Sequence, residues 1–126
     1  MIRPLIHEGN IEVPNIVLNP QEKTYTISGD SLPEDIKVVY MPIVSWLKEN
    51  CKAIEHSIQL IVNLNYINST SSKALMDVFV VLEEETINTQ NPAEIFWKYD
   101  ADDTDNEELG ISYKEMLKIP FHLESK

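Results

Sequence analysis

Glycine is scarce in this chain, three residues in 126, and cysteine occurs once, at Cys51. Phosphate-cradling loops of the P-loop and dinucleotide types need closely spaced glycines, so neither is available. A single cysteine permits no internal disulfide and no multi-cysteine metal site, and it fits a reducing compartment. Positive charge is also in short supply: ten Lys plus Arg stand against twenty-one Asp plus Glu, a formal charge of −11. Nucleic acid and anionic membrane surfaces are therefore disfavoured as partners, because both require clustered cations. No run approaches the ~20 apolar residues of a membrane helix. The opening Met1-Ile2-Arg3-Pro4-Leu5-Ile6-His7-Glu8 meets charge quickly, unlike a secretory signal. A cytoplasmic protein without a membrane segment is the expectation.

What is present is ordinary for a folded protein, 43% hydrophobic and 25% charged residues. The length predicts a single domain over 1–126. Residues 1–12 read as an extended arm, since Pro4 and Gly9 interrupt them and no period is visible. Ile16-Val17-Leu18 and Thr24-Tyr25-Thr26-Ile27-Ser28 form a hairpin across the turn residues Asn19-Pro20. Ser31-Leu32-Pro33-Glu34 has capping-box spacing, and Ile36, Val39, Tyr40, Ile43, Trp46 and Leu47 follow at helical intervals. Pro42 predicts a kink or restart in that helix.

Ser57 to Tyr66 is rich in branched residues and predicts a central parallel strand covered on both faces. It runs into Asn68-Ser69-Thr70-Ser71-Ser72, after which Ala74, Leu75, Val78, Phe79 and Leu82 set out a second helical stripe. Glu94 to Tyr99 is a further strand. Thr104-Asp105-Asn106-Glu107 is a second capping box opening a third helix, in which Gly110 costs about 1 kcal/mol relative to Ala. Ile119 to Leu123 can add an edge strand. The fold class is α/β, with a mixed sheet of four to five strands, an N-terminal hairpin and three main helices.

The hydroxyl run is the most informative feature. A strand that delivers the chain onto a helix start presents unpaired amides and the positive end of the helix dipole, which favour a phosphate there. One of these hydroxyls, Ser71 or Ser72, is expected simply to cap the helix. Other chemistry is poorly supported. Counted from Asp100, the sixth position of a calcium loop is Asp105 instead of Gly and the twelfth is Ile111 instead of Glu. No metal or other cofactor is expected, and Asp100 to Glu108 reads as a solvated acidic loop or part of a face for a basic partner. Cys51, His7, His56 and His122 form no nucleophile motif, and no G-x-S-x-G elbow is present. Trp46, Trp97 and Tyr99 read as packing residues. Tyr40 and Met41, beside Pro42, are candidates for an exposed partner contact, as are Asp102 and Asp103.

The segment Tyr66-Ile67-Asn68-Ser69-Thr70-Ser71-Ser72-Lys73-Ala74-Leu75-Met76-Asp77 resembles the loop and helix of the SiaC family of biofilm regulatory phosphoproteins. Further similar segments stand in order around it: Ile16-Val17-Leu18-Asn19, Ile27 to Glu34, Trp46-Leu47, and Phe96-Trp97-Lys98-Tyr99-Asp100. Asp102-Asp103, Glu108-Leu109-Gly110 and Ile119-Pro120-Phe121 complete the pattern, which spans residues 13 to 122. The resemblance implies a STAS-like single domain that is not an enzyme. It implies a partner-switching protein that a serine/threonine protein kinase phosphorylates and a metal-dependent phosphatase restores. The unphosphorylated form would bind and activate a diguanylate cyclase, regulating cyclic-di-GMP signalling and biofilm formation. By position the phospho-acceptor falls on Ser69, where the family commonly has Thr directly after Asn. Thr70 follows one residue later, so the acceptor is Ser69 or Thr70. Asn68 would aim the loop, with Ser71, Ser72 and Lys73 completing the switch loop and helix start. Two alternatives are a regulator resembling antagonists of anti-sigma factors, and a small enzyme acting on an anionic substrate at the hydroxyl loop.

Overall fold

The computed structural model describes residues 1–126. The element order is β1 (Leu5–His7), β2 (Asn15–Asn19), β3 (Thr24–Ser31), α1 (Ile36–Asn50), a short 3₁₀ turn (Cys51–Ala53), β4 (Gln59–Ile67), α2 (Ser69–Thr86), β5 (Glu94–Tyr99), α3 (Thr104–Met116) and β6 (Phe121–Ser125). All six strands join one mixed sheet in sequential order, β1 to β3 antiparallel and β3 to β6 parallel. The sheet thus has six strands, where the sequence predicts four to five. The extra one is β1, inside the segment expected as a loose arm. Its three residues pair with β2, and the Trp46 indole donates to the Arg3 carbonyl at 2.8 Å, which ties this segment to α1.

Cross-strand register explains the layering. Leu5, Leu18, Tyr25, Leu60, Ile95 and Phe121 stand side by side in one row, and Ile16, Ile27, Val62, Trp97 and Leu123 in the next. Apart from Leu5 and Leu123, which are half-buried, these side chains are buried. The intervening row, Ile6, Val17, Thr26, Ile61, Phe96 and His122, contains no buried residue. β4 is therefore covered on one face only, against the two-sided cover its branched residues suggest. Parallel strands taken in sequential order, joined by right-handed crossovers, put every connecting helix on the same side. The core between them includes Val39, Ile43 and Leu47 of α1, Leu75, Phe79 and Leu82 of α2, and Tyr113 of α3. Phe79 meets Trp97, Tyr113 and Phe121 edge-on, with ring centroids 6.4, 5.0 and 5.9 Å away.

Three local expectations need correction. Ser31 does not cap α1; it is the last residue of β3, and the cap is Asp35, whose carboxylate accepts from the Lys37 amide at 3.1 Å. Pro42 does not restart α1, which runs through it as one helix. Pro42 and Val38, whose carbonyl loses its donor, are both exposed, so water can serve the freed group. The cap of α3 is Asp103 rather than Thr104, its carboxylate accepting from the Asn106 amide at 3.1 Å.

Cys51 and Tyr25 are buried in the α1 side of the core. Burial, with Glu85 adding to it, pushes the Cys51 thiol up to about 12. Burial likewise pushes the Tyr25 phenol up to about 12, with Cys51 adding to it. Both groups bind their protons more tightly folded than unfolded. Their contribution is thus complete below the unfolded values of 9.0 and 10.0 and is lost as pH rises towards 12. The denaturation midpoint is expected to hold up to about pH 9 and then decline, and a midpoint rising above pH 9 would contradict this.

Gly110 is explained by contact. A Cβ built there lies 2.5 Å from Trp97 Cδ1 and 2.6 Å from Leu123 Cδ2, so the glycine lets α3 lie directly on β5 and β6. Helix propensity alone would make Gly110→Ala stabilising by about 1 kcal/mol. Overpacking is expected to win, giving a net loss of about 1–3 kcal/mol in urea unfolding; unchanged or increased stability would refute the contact argument.

Candidate functional site

The β4–α2 junction is set by a cap. Asn68 lies in the extended region, φ −79° and ψ 168°, and its side-chain oxygen accepts from the Ser71 amide at 2.8 Å. Asn68, rather than Ser71 or Ser72, is thus the N-cap, and its backbone angles are ordinary. Its own amide donates to the Ser31 carbonyl at 3.1 Å, so the end of β3 holds the start of α2.

The four hydroxyls after the cap separate into two kinds. Ser71 is fully buried: its Oγ donates to the Ser31 carbonyl at 3.0 Å and accepts from Ser31 Oγ at 2.8 Å. Ser31 Oγ in turn lies 2.5 Å from the Tyr40 hydroxyl. Ser72 is half-buried, its hydroxyl donates to the Ser69 carbonyl at 2.7 Å, and its carbonyl accepts from the Tyr113 hydroxyl at 2.6 Å. Ser69 and Thr70 are both exposed on the first turn. Thr70 Oγ1 donates to the Asn68 side chain at 3.2 Å. Lys73, one turn on, is exposed as well. The junction therefore offers two reachable hydroxyls at a helix N-terminus, where backbone amides and the helix dipole favour added negative charge.

Tyr40 is 3% exposed and belongs to this buried network, so it is not available as a surface contact. The helical period that makes Val39 and Tyr40 core residues leaves Met41, at 54% exposure, outside. Burial raises the Tyr40 phenol above its ordinary value, although hydrogen bonds to Ser31 and Ser71 pull the other way. Burial raises Tyr113 too, so both phenols stay neutral and can donate.

Asp102 is exposed, and Asp103 caps α3. Beside the β4–α2 junction, the ends of β3, β4 and β5 and the start of α3 enclose two adjoining clefts of about 320 and 580 Å³. Both are lined by Asn65, Tyr66, Asp103 and Asp105. No three of the His, Cys, Asp and Glu side chains converge closely enough to hold a metal ion. The histidines are dispersed: His7 on β1, His56 bonded to the Tyr25 hydroxyl at 2.7 Å, and His122 stacked on Phe96. None of these residues brings a base to the hydroxyl loop. No helix is long and apolar enough to cross a membrane.

Ser31, Tyr113 and Asn106 were not legible as site residues. Each acts through tertiary contact, and only its polarity inside an apolar pattern marks it. Asn106, in the first turn of α3, donates to the Leu64 carbonyl of β4 at 3.1 Å.

Comparison with known proteins is consistent across sequence and structure. The family model for SiaC family regulatory phosphoproteins matches residues 7–126. An uncharacterized protein of Pseudomonas aeruginosa strain UCBPP-PA14 is 26% identical over 117 residues, covering 93% of this chain and 92% of its own. The structure of SiaC of Pseudomonas aeruginosa superposes with a TM-score of 0.87 at 26% identity, covering 98% of this chain and 99% of that one. The same score and identity are found with a chain of the crystal structure of the diguanylate cyclase SiaD in complex with its activator SiaC from Pseudomonas aeruginosa, covering 97% and 99%.

The two kinds of hydroxyl differ in stability terms. Ser71→Ala leaves the buried Ser31 hydroxyl without its acceptor and is expected to cost about 1–3 kcal/mol. Ser69→Ala should stay within about 0.5 kcal/mol. Urea unfolding of the two variants checks this, and equal losses would contradict the division.

Proposed function

The chain belongs to the SiaC family of regulatory phosphoproteins, and from that premise we propose that it is a cytoplasmic partner-switching protein controlled at Ser69 or Thr70. Its unphosphorylated form binds and activates a diguanylate cyclase, and so regulates cyclic-di-GMP output and biofilm formation. A serine/threonine protein kinase adds the phosphate and a metal-dependent phosphatase removes it. The chain acts by binding and carries out no chemistry of its own.

The observation that carries this reading is the exposure of Ser69 and Thr70 on a first turn that a buried network holds in place. A phosphate adds about −1.5 to −2 charge and three acceptor oxygens. The amides and dipole of α2 accommodate that charge, with exposed Lys73 one turn away as its counter-ion. The fold is not disturbed, and what changes is the surface a partner meets. Bulk, desolvation and charge at this junction then oppose docking by the cyclase. A hundredfold loss of affinity needs only about 3 kcal/mol, within the range of a single switched site. The kinase cannot reach Ser71 without opening the core, since that hydroxyl is sealed. The partner face is proposed to include Met41 and Asp102 in addition to the loop, with Tyr40 withdrawn from it.

Phosphopeptide mass spectrometry of the chain from its own cells is expected to find phosphate on Ser69 or Thr70 and none on Ser71. The Ser69→Asp, Thr70→Asp double variant should capture much less cyclase, while the corresponding double Ala variant captures as much as the native chain. Full capture by both the Asp variant and the truly phosphorylated chain would overturn the switch.

A further inference from the structure

The two clefts beside the switch form one trough, because they share Asn65, Tyr66, Asp103 and Asp105. Two acceptors along it lack partners. Asn106 lines the narrower cleft and is 7% exposed; its Nδ2 is used on Leu64, yet its buried Oδ1 has no hydrogen-bond partner. Asp30 lines the wider cleft, and its Oδ1 is likewise buried and unpaired. Buried polar atoms are normally satisfied by protein or ordered water, so these two acceptors in the trough walls are positions that a ligand carrying donors can pair.

The charged side chains that line the wider cleft are all carboxylates. Asp100, Asp102 and Asp105 are exposed around the wider cleft. The carboxylate of Asp103 covers the positive end of α3 by capping it, so the helix dipole does not repel a cation there. This chain's own Lys126 already places an ammonium at the far end, where it donates to Asn65 Oδ1 at 3.2 Å and lies 3.9 Å from Asp100. One apolar element completes the trough: the ring of Tyr66, 66% exposed.

We propose that this trough takes one arginine side chain of the protein partner. The guanidinium stacks on Tyr66, donates to the free oxygens of Asn106 and Asp30, and is neutralised by Asp105 and the rim. Arginine fits better than lysine because its planar fork carries five donors and stacks on an aromatic face. This rests on the partner-switching reading above and gives that partner a recognisable chemistry. Tyr66 is three residues before Ser69, so trough and switch lie on the same docking surface.

The test is a nuclear magnetic resonance titration of the full unphosphorylated chain with Nα-acetyl-arginine N-methylamide. The citrulline compound, neutral and of the same shape, and the lysine compound serve as comparisons. Saturable shifts at Tyr66, Asp105 and Asn106 are expected with arginine, several-fold weaker binding with lysine, and none with citrulline. Tyr66→Ala and Asp105→Asn, both exposed positions, should each weaken arginine binding several-fold, whereas Ser69→Ala with Thr70→Ala should leave it unchanged. No saturable shift with arginine, an equal response to citrulline, or indifference to both trough variants would overturn the proposal. Capture of the cyclase by a chain that ignores the arginine compound would refute the trough and leave the switch standing. Arginine binding by a chain that never captures the cyclase would do the reverse.

Discussion

A short chain of buried hydroxyls, from Tyr40 through Ser31 to Ser71, fixes where β4 ends and α2 begins. Everything proposed for the junction depends on it. The network joins α1, β3 and α2, so three elements far apart in sequence agree on the position of one helix start. Removing the Ser31 or the Ser71 hydroxyl would leave its neighbour short of a partner in a dry site, which is more costly than the bond itself is stabilising. With Ser71 held inside and Asn68 capping, the helical turn carries Ser69 and Thr70 outward. Two hydroxyls serve the fold and keep the other two at the surface.

The one-sided sheet supplies the second constraint. Sequential parallel strands send all their carboxyl ends to one edge of the sheet. The hydroxyl loop after β4, the acidic start of α3 and the trough all lie there. An irregularity in β4 sharpens the arrangement: Gly29 pairs with Leu64 but Asp30 pairs with Tyr66, so Asn65 is an extra residue in the ladder. Strict alternation would continue the buried series Leu60, Val62, Leu64 to Tyr66. The bulge turns Tyr66 outward instead and sends Ile67, opposite Ser31, towards the core. Gly29, at φ +100°, supplies backbone that other residues rarely adopt at this step.

Much of the fold was legible because periodicity reports which face is buried. The three helices, the hairpin and strands β4 and β5 all announce themselves in the spacing of apolar residues. β1 did not, since a three-residue edge strand is too short to show a period. The caps differ from the sequence expectation where two acceptable residues compete: Asp35 and Asp103 take the places of Ser31 and Thr104, because helix starts shift by a residue or more at little cost. Pro42 makes Tyr40 a candidate for an exposed contact, while the 3.6-residue period that buries Val39 also buries it. At the site, the strand–hydroxyl–helix order was visible. The division of the four hydroxyls was not, because it depends on Ser31, forty residues away from Ser71. Nor was the trough, which needs the bulge and two separate strand ends to form.

The central claim is that charge added at an exposed first turn, without any change of fold, decides whether the partner docks. The most direct measurement is cyclic-di-GMP synthesis by the partner cyclase, titrated with the chain either unmodified or stoichiometrically phosphorylated at Ser69 or Thr70. The account predicts stimulation by the unmodified chain and a requirement for roughly a hundredfold more of the phosphorylated one. Equal stimulation by both forms would contradict it.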